Sequence, residues 1–226
     1  VNAPGIAGTL GLAVLATGCM TSSIASGTHL PEPVQVVAEG LCRHAPSGME
    51  FPESIGSFRR TEVVRYDAEG LDMSASYAPP PGRFPIFVTV YVYPGREVSS
   101  FMVYGRTRSE YTEREAKRDF KSERDGVLHH YEKDQDAAVA SEGEVTLALG
   151  GAERRGWRTE FSVEGALGVP GMPCVSLLYW FPSVGGKWNV KFRISYWRGP
   201  VDPAKDIEAV LDGAPWPGAS VGSLSQ

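Results

Sequence analysis

The chain reads as an α+β domain: a mainly antiparallel sheet of about seven strands with two packed helices. Three observations predict it. Several segments alternate apolar and polar residues with period two, the signature of half-buried strands. The connections between them are short and rich in Gly, Pro and Asp, as hairpins require. Two stretches break this rhythm with helical spacing, one near residues 110–131 and one near 202–213. Strands joined by hairpins, with helices inserted between groups of strands, make an α+β architecture.

Pro31 to Ser47 holds three prolines and the run Val34-Gln35-Val36-Val37, read as an irregular arm with one short strand. Phe58 to Tyr66 is rich in Val, Thr and Tyr and reads as a strand. Asp67-Ala68-Glu69-Gly70 turns the chain into a second strand, in which Leu71, Met73, Ala75 and Tyr77 alternate with Asp72, Ser74 and Ser76. Pro79 to Gly82 interrupts. Ile86 to Tyr93 is apolar or aromatic on both faces, which places it in the middle of the sheet. From Glu110 to Asp125 eleven of sixteen residues are charged. Thr112 and Glu115 form a capping box, and Ala116, Phe120, Val127 and Tyr131 share one stripe, so a charged helix with a thin apolar face is expected.

Strands resume at Glu144 to Leu149, and Gly150-Gly151 makes the next turn. Trp157, Thr159, Phe161 and Val163 alternate with Arg158, Glu160 and Ser162. Cys174 to Phe181 is apolar on both faces, a second central strand. In Lys187 to Trp197 the alternation puts Trp188, Val190, Phe192, Ile194 and Tyr196 inward and Lys187, Asn189, Lys191, Arg193 and Ser195 outward. Asp202 caps a last helix that carries Pro203 in its first turn, docks through Ile207, Val210 and Leu211, and stops at Gly213. The expected organisation is a leader at 1–18, a tether and irregular arm at 19–50, one domain at 51–213 and a flexible tail at 214–226.

The leader indicates the compartment. Ile6 to Ala16 carries no charge over eleven residues, too short to span a bilayer, which takes about 20, and suited to a secretory signal. The sequence Leu15-Ala16-Thr17-Gly18-Cys19 resembles the bacterial lipoprotein signal. That resemblance implies cleavage after Gly18, lipidation of Cys19, and a membrane anchor at the cell envelope on its periplasmic face. Met20 stands where many enterobacterial members of that class carry the aspartate that retains them at the inner membrane, which favours the outer membrane in an organism that has one. The phrases FPESIGSFRRTEVVRY, IFVTVYVYPG and KFRISYW resemble a family of uncharacterised bacterial lipoproteins. The element order over Phe51 to Leu211 resembles the PsbP-like α/β/α sandwich, whose members mostly act as accessory or binding subunits.

Export leaves Cys42 and Cys174 in an oxidising compartment, where two thiols are expected to pair. Their bridge would close a loop of about 130 residues and contribute roughly 4–5 kcal/mol. The net charge is −5 with cations scattered among acids, which is not the footprint of a nucleic-acid binder.

Chemical motifs are few. Gly218-Ala219-Ser220-Val221-Gly222 matches the nucleophile-elbow pattern, but every histidine precedes it and only four residues follow, so it is set aside. His129 and His130 are adjacent, and neighbouring helical side chains diverge too far to share a metal. No metal or cofactor signal is present. Arg158, Lys191, Arg193 and Trp197 form a candidate anion or partner surface, with pairing to Glu160 as the plainer reading. The chain is therefore expected to be a non-enzymatic, exported, lipid-anchored binding or accessory protein for a small ligand or an envelope protein. An envelope hydrolase with an unmarked site and a purely structural envelope protein stand as alternatives.

Overall fold

The computed structural model describes residues 32–95, 101–103, 106–108, 113–132, 136–165, 167, 171–199, 201–214 and 216–217. The segments read as a leader at 1–18 and a tether from Met20 to Gly27, together with Cys19, Thr112 of the expected capping box and the motif at 218–222, lie outside these residues. In chain order the strands are β1 (Val34–Gln35), β2 (Cys42–His44), β3 (Met49–Phe51), β4 (Ser54–Ile55), β5 (Phe58–Arg65), β6 (Met73–Ala78), β7 (Ile86–Pro94), β8 (Phe101–Val103) and β9 (Arg106–Arg108). Helix α1 (Glu113–Glu132) follows, then β10 (Ala137–Leu149), β11 (Ala152–Glu164), β12 (Pro173–Val184), β13 (Trp188–Trp197) and helix α2 (Ala204–Gly213). The fold is α+β.

One antiparallel sheet of nine strands dominates, in the order β1-β5-β6-β7-β13-β12-β11-β10, with β4 also paired to β5. Seven of these, β5, β6, β7, β10, β11, β12 and β13, overlap the long segments read as strands, and β1 falls in the short run Val34–Val37. The other two, β1 and β4, are two-residue pairings on β5. Strands β2–β3 and β8–β9 form two separate hairpins. After β7 the chain leaves the sheet through α1, enters at the far edge as β10, and returns strand by strand until β13 pairs with β7. The Asp67–Gly70 turn forms as expected: the Asp67 carboxylate accepts the N–H of Leu71 at 2.8 Å and of Asp72 at 3.0 Å, and Gly70 takes φ +70°.

The period of two sorts the interior into two layers. Along β12, Val175, Leu177, Tyr179 and Phe181 join a core with Val88, Val90, Phe192, Ile194 and α2 residues Ile207, Val210 and Leu211. The intervening Cys174, Leu178 and Trp180 join a second core with α1 residues Ala116, Phe120, Val127 and Tyr131. Each face of the sheet thus carries one helix. The apolar stripe read from the α1 sequence is the buried stripe. At the start of α2, Pro203 is the N-cap and the Asp202 carboxylate accepts the Ala204 N–H at 3.0 Å. The proline therefore stands one position before the expected first turn.

Two expected boundaries move. The domain begins well before residue 51: β1 pairs with β5, His44 and Met49 are fully buried, and Met49 and Phe51 belong to the α2-face core. The arm is irregular in outline but packed, because its alternate residues Val36, Ala38 and Cys42 turn inward against that core. The tail at 214–226 is not flexible at its start. Ala214 and Trp216 are 3 % and 2 % exposed, since Trp216 fills a gap beside Phe181 and Phe192 at ring distances of 5.1 and 5.5 Å.

Candidate functional site

The second row of β13 decides where the expected cationic surface lies. Asn189, Lys191, Arg193 and Ser195 were expected to face water, but α1 lies over this side of the sheet. Lys191 is 2 % exposed. Its Nζ donates to Glu123 Oε2 of α1 at 2.9 Å and sits 4.5 Å from the Tyr91 ring and 5.4 Å from the Tyr93 ring. Glu123 Oε1 accepts from the Tyr93 hydroxyl at 2.9 Å, and that hydroxyl accepts from Trp180 Nε1 at 2.8 Å. Both carboxylate oxygens of Glu123 are thus engaged by the sheet. Two turns on, Arg193 donates to the Tyr131 hydroxyl at 3.1 Å.

The electrostatics follow from this burial. The Tyr93 hydroxyl is pushed well up by desolvation and by the Glu123 charge. At Tyr131 burial pushes upward, but the Arg193 charge and hydrogen bonds from Ser176 and Ser195 outweigh it, and the phenol falls below its usual value. Asp72, in the turn just before β6, is pushed up to about 7 by desolvation against the opposing pull of Lys191, with Asp67 and Glu123 adding to the rise. Breaking a buried pair such as Lys191–Glu123 typically costs about 3–5 kcal/mol, because the survivor is left charged without a partner. Lys191 and Arg193 are therefore fasteners between helix and sheet, not an open anion site.

Arg158 lies on the opposite face. It pairs in register with Tyr179, whose side chain belongs to the α2-face core, and donates to Glu160 at 2.7 Å. The surface expected from Arg158, Lys191 and Arg193 together does not exist, because strand parity separates position 158 from 191 and 193. The plainer pairing with Glu160 is what forms. Trp197 packs against the α1-face core instead of standing free for a partner.

The Cys42–Cys174 bridge is likewise not formed. Cys42 packs at the margin of the α2-face core and Cys174 is buried in the α1-face core, so the sheet stands between them. The Cys174 thiol donates to the Met172 carbonyl at 3.6 Å. His129 and His130 occupy the last turn of α1. Among the described residues no group of three or more His, Cys, Asp or Glu side chains stands together to hold a metal ion, and no helix is long and apolar enough to cross a membrane.

The sheet edge offers a different surface, one that alternation did not reveal. Strand β5 carries β1 on its Val64–Arg65 end and β4 on its Phe58–Arg59 end, and its register to β6 shifts between Arg60 and Glu62. Between the two short pairings lies a groove of about 440 Å³ lined by Gln35–Ala38, Glu53 and Arg59–Val63. Its floor is fixed by Arg60, whose guanidinium donates to the carbonyls of Phe51, Ala38 and Gly40. Val37 stands at its rim, 93 % exposed. The volume falls in the range of small-ligand sites, about 300–1,000 Å³. Its wall is β5, whose Arg60 N–H donates to the Glu53 carbonyl and whose Val63 carbonyl accepts from Val36, each at 2.8 Å. Three prolines hid this arrangement in the sequence by making the arm look unstructured. No protein-family model matches the chain, and no curated protein sequence matches it.

Proposed function

We propose that this chain is an exported, lipid-anchored binding or accessory protein of the bacterial cell envelope, held by a lipid on Cys19 and facing the periplasm, at the outer membrane where there is one. Its sheet with a helix on each face is in keeping with a PsbP-like α/β/α sandwich. The observation that carries the reading is the groove at the β5 edge. It combines an exposed apolar rim at Val37, the exposed Thr61 of β5 and an arginine-pinned floor, and it sits on the arm that follows the proposed anchor. Those are attributes of a site that holds an extended segment or small ligand. The cations marked by the sequence instead serve to fasten α1.

Site-specific photo-crosslinking in the native envelope tests this. A photoreactive side chain at Val37 or Thr61 is expected to give the same discrete adduct. One at Lys205, exposed on α2, is expected to give none. Equal adducts from all three positions, or none from the first two, would remove the groove as the binding site.

A further inference from the structure

Helix α1 turns a row of four exposed cations to solvent: Arg114, Lys117, Arg118 and Lys121. Their spacing of three and four residues puts them on one strip, directed away from the buried stripe of Ala116, Phe120 and Val127. The four cations adjoin one another at three and four residues along that strip, with Glu113 four residues before Lys117 and Asp125 four residues after Lys121. Arg118 is ion-paired with the flanking Asp119 at 3.7 Å, and the strip ends at Asp125, which is hydrogen-bonded to Arg124. In a chain of net charge −5, this row is a local reversal of sign, and it is complementary to an anionic surface.

We propose that the row docks on anionic phospholipid headgroups, laying α1 against the bilayer to which the Cys19 lipid tethers the domain; the tethering part rests on the function proposed above. The geometry allows it. Helix α1 packs over β10, β11 and β12, while the tether enters at β1 on the far side of the sheet. From β1 to β11 is six strand spacings, about 29 Å. The fourteen residues from Met20 to Pro33 reach up to about 45 Å when extended. With the anchor holding the protein at the surface, the headgroups meet the row at short range.

The test uses full-length protein and two vesicle types, one of phosphatidylethanolamine with phosphatidylglycerol and one of phosphatidylcholine alone. Binding is measured by co-sedimentation for the wild type, for R118Q and K121Q singly, and for R114Q/K117Q/R118Q/K121Q, with K205Q as control. Apolar contacts of the leader are common to all variants and cancel in the comparison. Each neutralised cation is expected to weaken binding to the anionic vesicles about five-fold and to leave phosphatidylcholine binding unchanged. Raising salt from 0.1 M to 1 M shortens the screening length from about 10 Å to about 3 Å and is expected to abolish the difference between vesicles. Far-UV circular dichroism and the urea midpoint verify that the substituted helix is folded. Equal binding to both vesicle types, wild-type binding by the folded fourfold variant, or binding of an acidic protein in place of either vesicle overturns the proposal. The mass of the mature N-terminus is read separately, so a missing anchor and a failed docking row are told apart.

Discussion

At the scale of single residues, two titratable groups tilt stability in opposite directions. His44 is fully buried. Its Nε2 faces the Leu71 carbonyl at 3.2 Å and its Nδ1 faces the Ser47 hydroxyl at 2.6 Å. A carbonyl only accepts, so Nε2 carries the hydrogen and Nδ1 accepts from Ser47, which itself accepts the Met49 N–H at 3.1 Å. The neutral ring thereby joins the arm to the turn before β6. Burial lowers its pKa below the ordinary 6.5, against the raising effects of Leu71, Gly70 and Asp67. The unfolded chain thus takes up the proton more readily, and the stabilisation present above pH 6.5 is lost as pH falls below it. Asp72 has the reverse sign: its folded value of about 7 exceeds the ordinary 3.8. Its burden on stability is absent below pH 3.8 and fully present above about 7. Urea unfolding across pH 3.5 to 8 separates the two. H44F is expected to flatten the decline below pH 6.5, and D72N to raise stability above pH 7 while changing little below pH 3.8. Parallel pH profiles for wild type and both variants would refute these assignments.

Elements are governed by how closely strands pass. A Cβ on Gly156 of β11 would lie 2.4 Å from the Trp180 carbonyl oxygen and 2.7 Å from the Phe181 ring, so no side chain fits between β11 and β12 there. Gly143 of β10 has nothing within 4 Å of the same construction. G156A is therefore expected to lose at least the roughly 1–3 kcal/mol of an overpacked core. G143A is expected to stay within about 0.5 kcal/mol of wild type. Equal losses in urea melts would contradict this account of the β11–β12 contact. The edge strand β10 also shows what alternation reveals and what it hides. Its end at Glu144–Leu149 was legible because Val145, Leu147 and Leu149 face the α2-side core. Ala137–Gly143 was not, since its residues are mostly exposed and carry no periodic signal. Glu142, Glu144 and the register shift between Val139 and Ser141 suit an edge that must not recruit other strands. On β13 the alternation was read correctly and its polar row misassigned. Period two separates two faces but does not say that a helix covers both, so Lys191 looked like a surface residue.

For the whole molecule, the class and the seven long strands were legible because each carries its own local pattern. The cysteine pairing was not, because it depends on which face each strand presents once register is set. Trp216 was missed for a similar reason: a lone aromatic between two prolines has no period. Its ring meets Phe181 and Phe192, lies 4.4 Å beneath the Arg154 guanidinium, and closes the α2-face core from beyond the last helix. W216A is expected to lower the unfolding free energy by about 3–5 kcal/mol, and a loss under 1 kcal/mol would restore the tail to a dispensable role.

The central proposal is the anchor, from which the compartment follows. The intact mass of the protein purified from its native membrane tests it most directly. The account predicts a chain beginning at Cys19 with a diacyl or triacyl increment. It also predicts no change of two hydrogens on reduction, because Cys42 and Cys174 stand on opposite faces of the sheet. A chain that retains Ile6–Ala16, or one cut there without an acyl group, would contradict it.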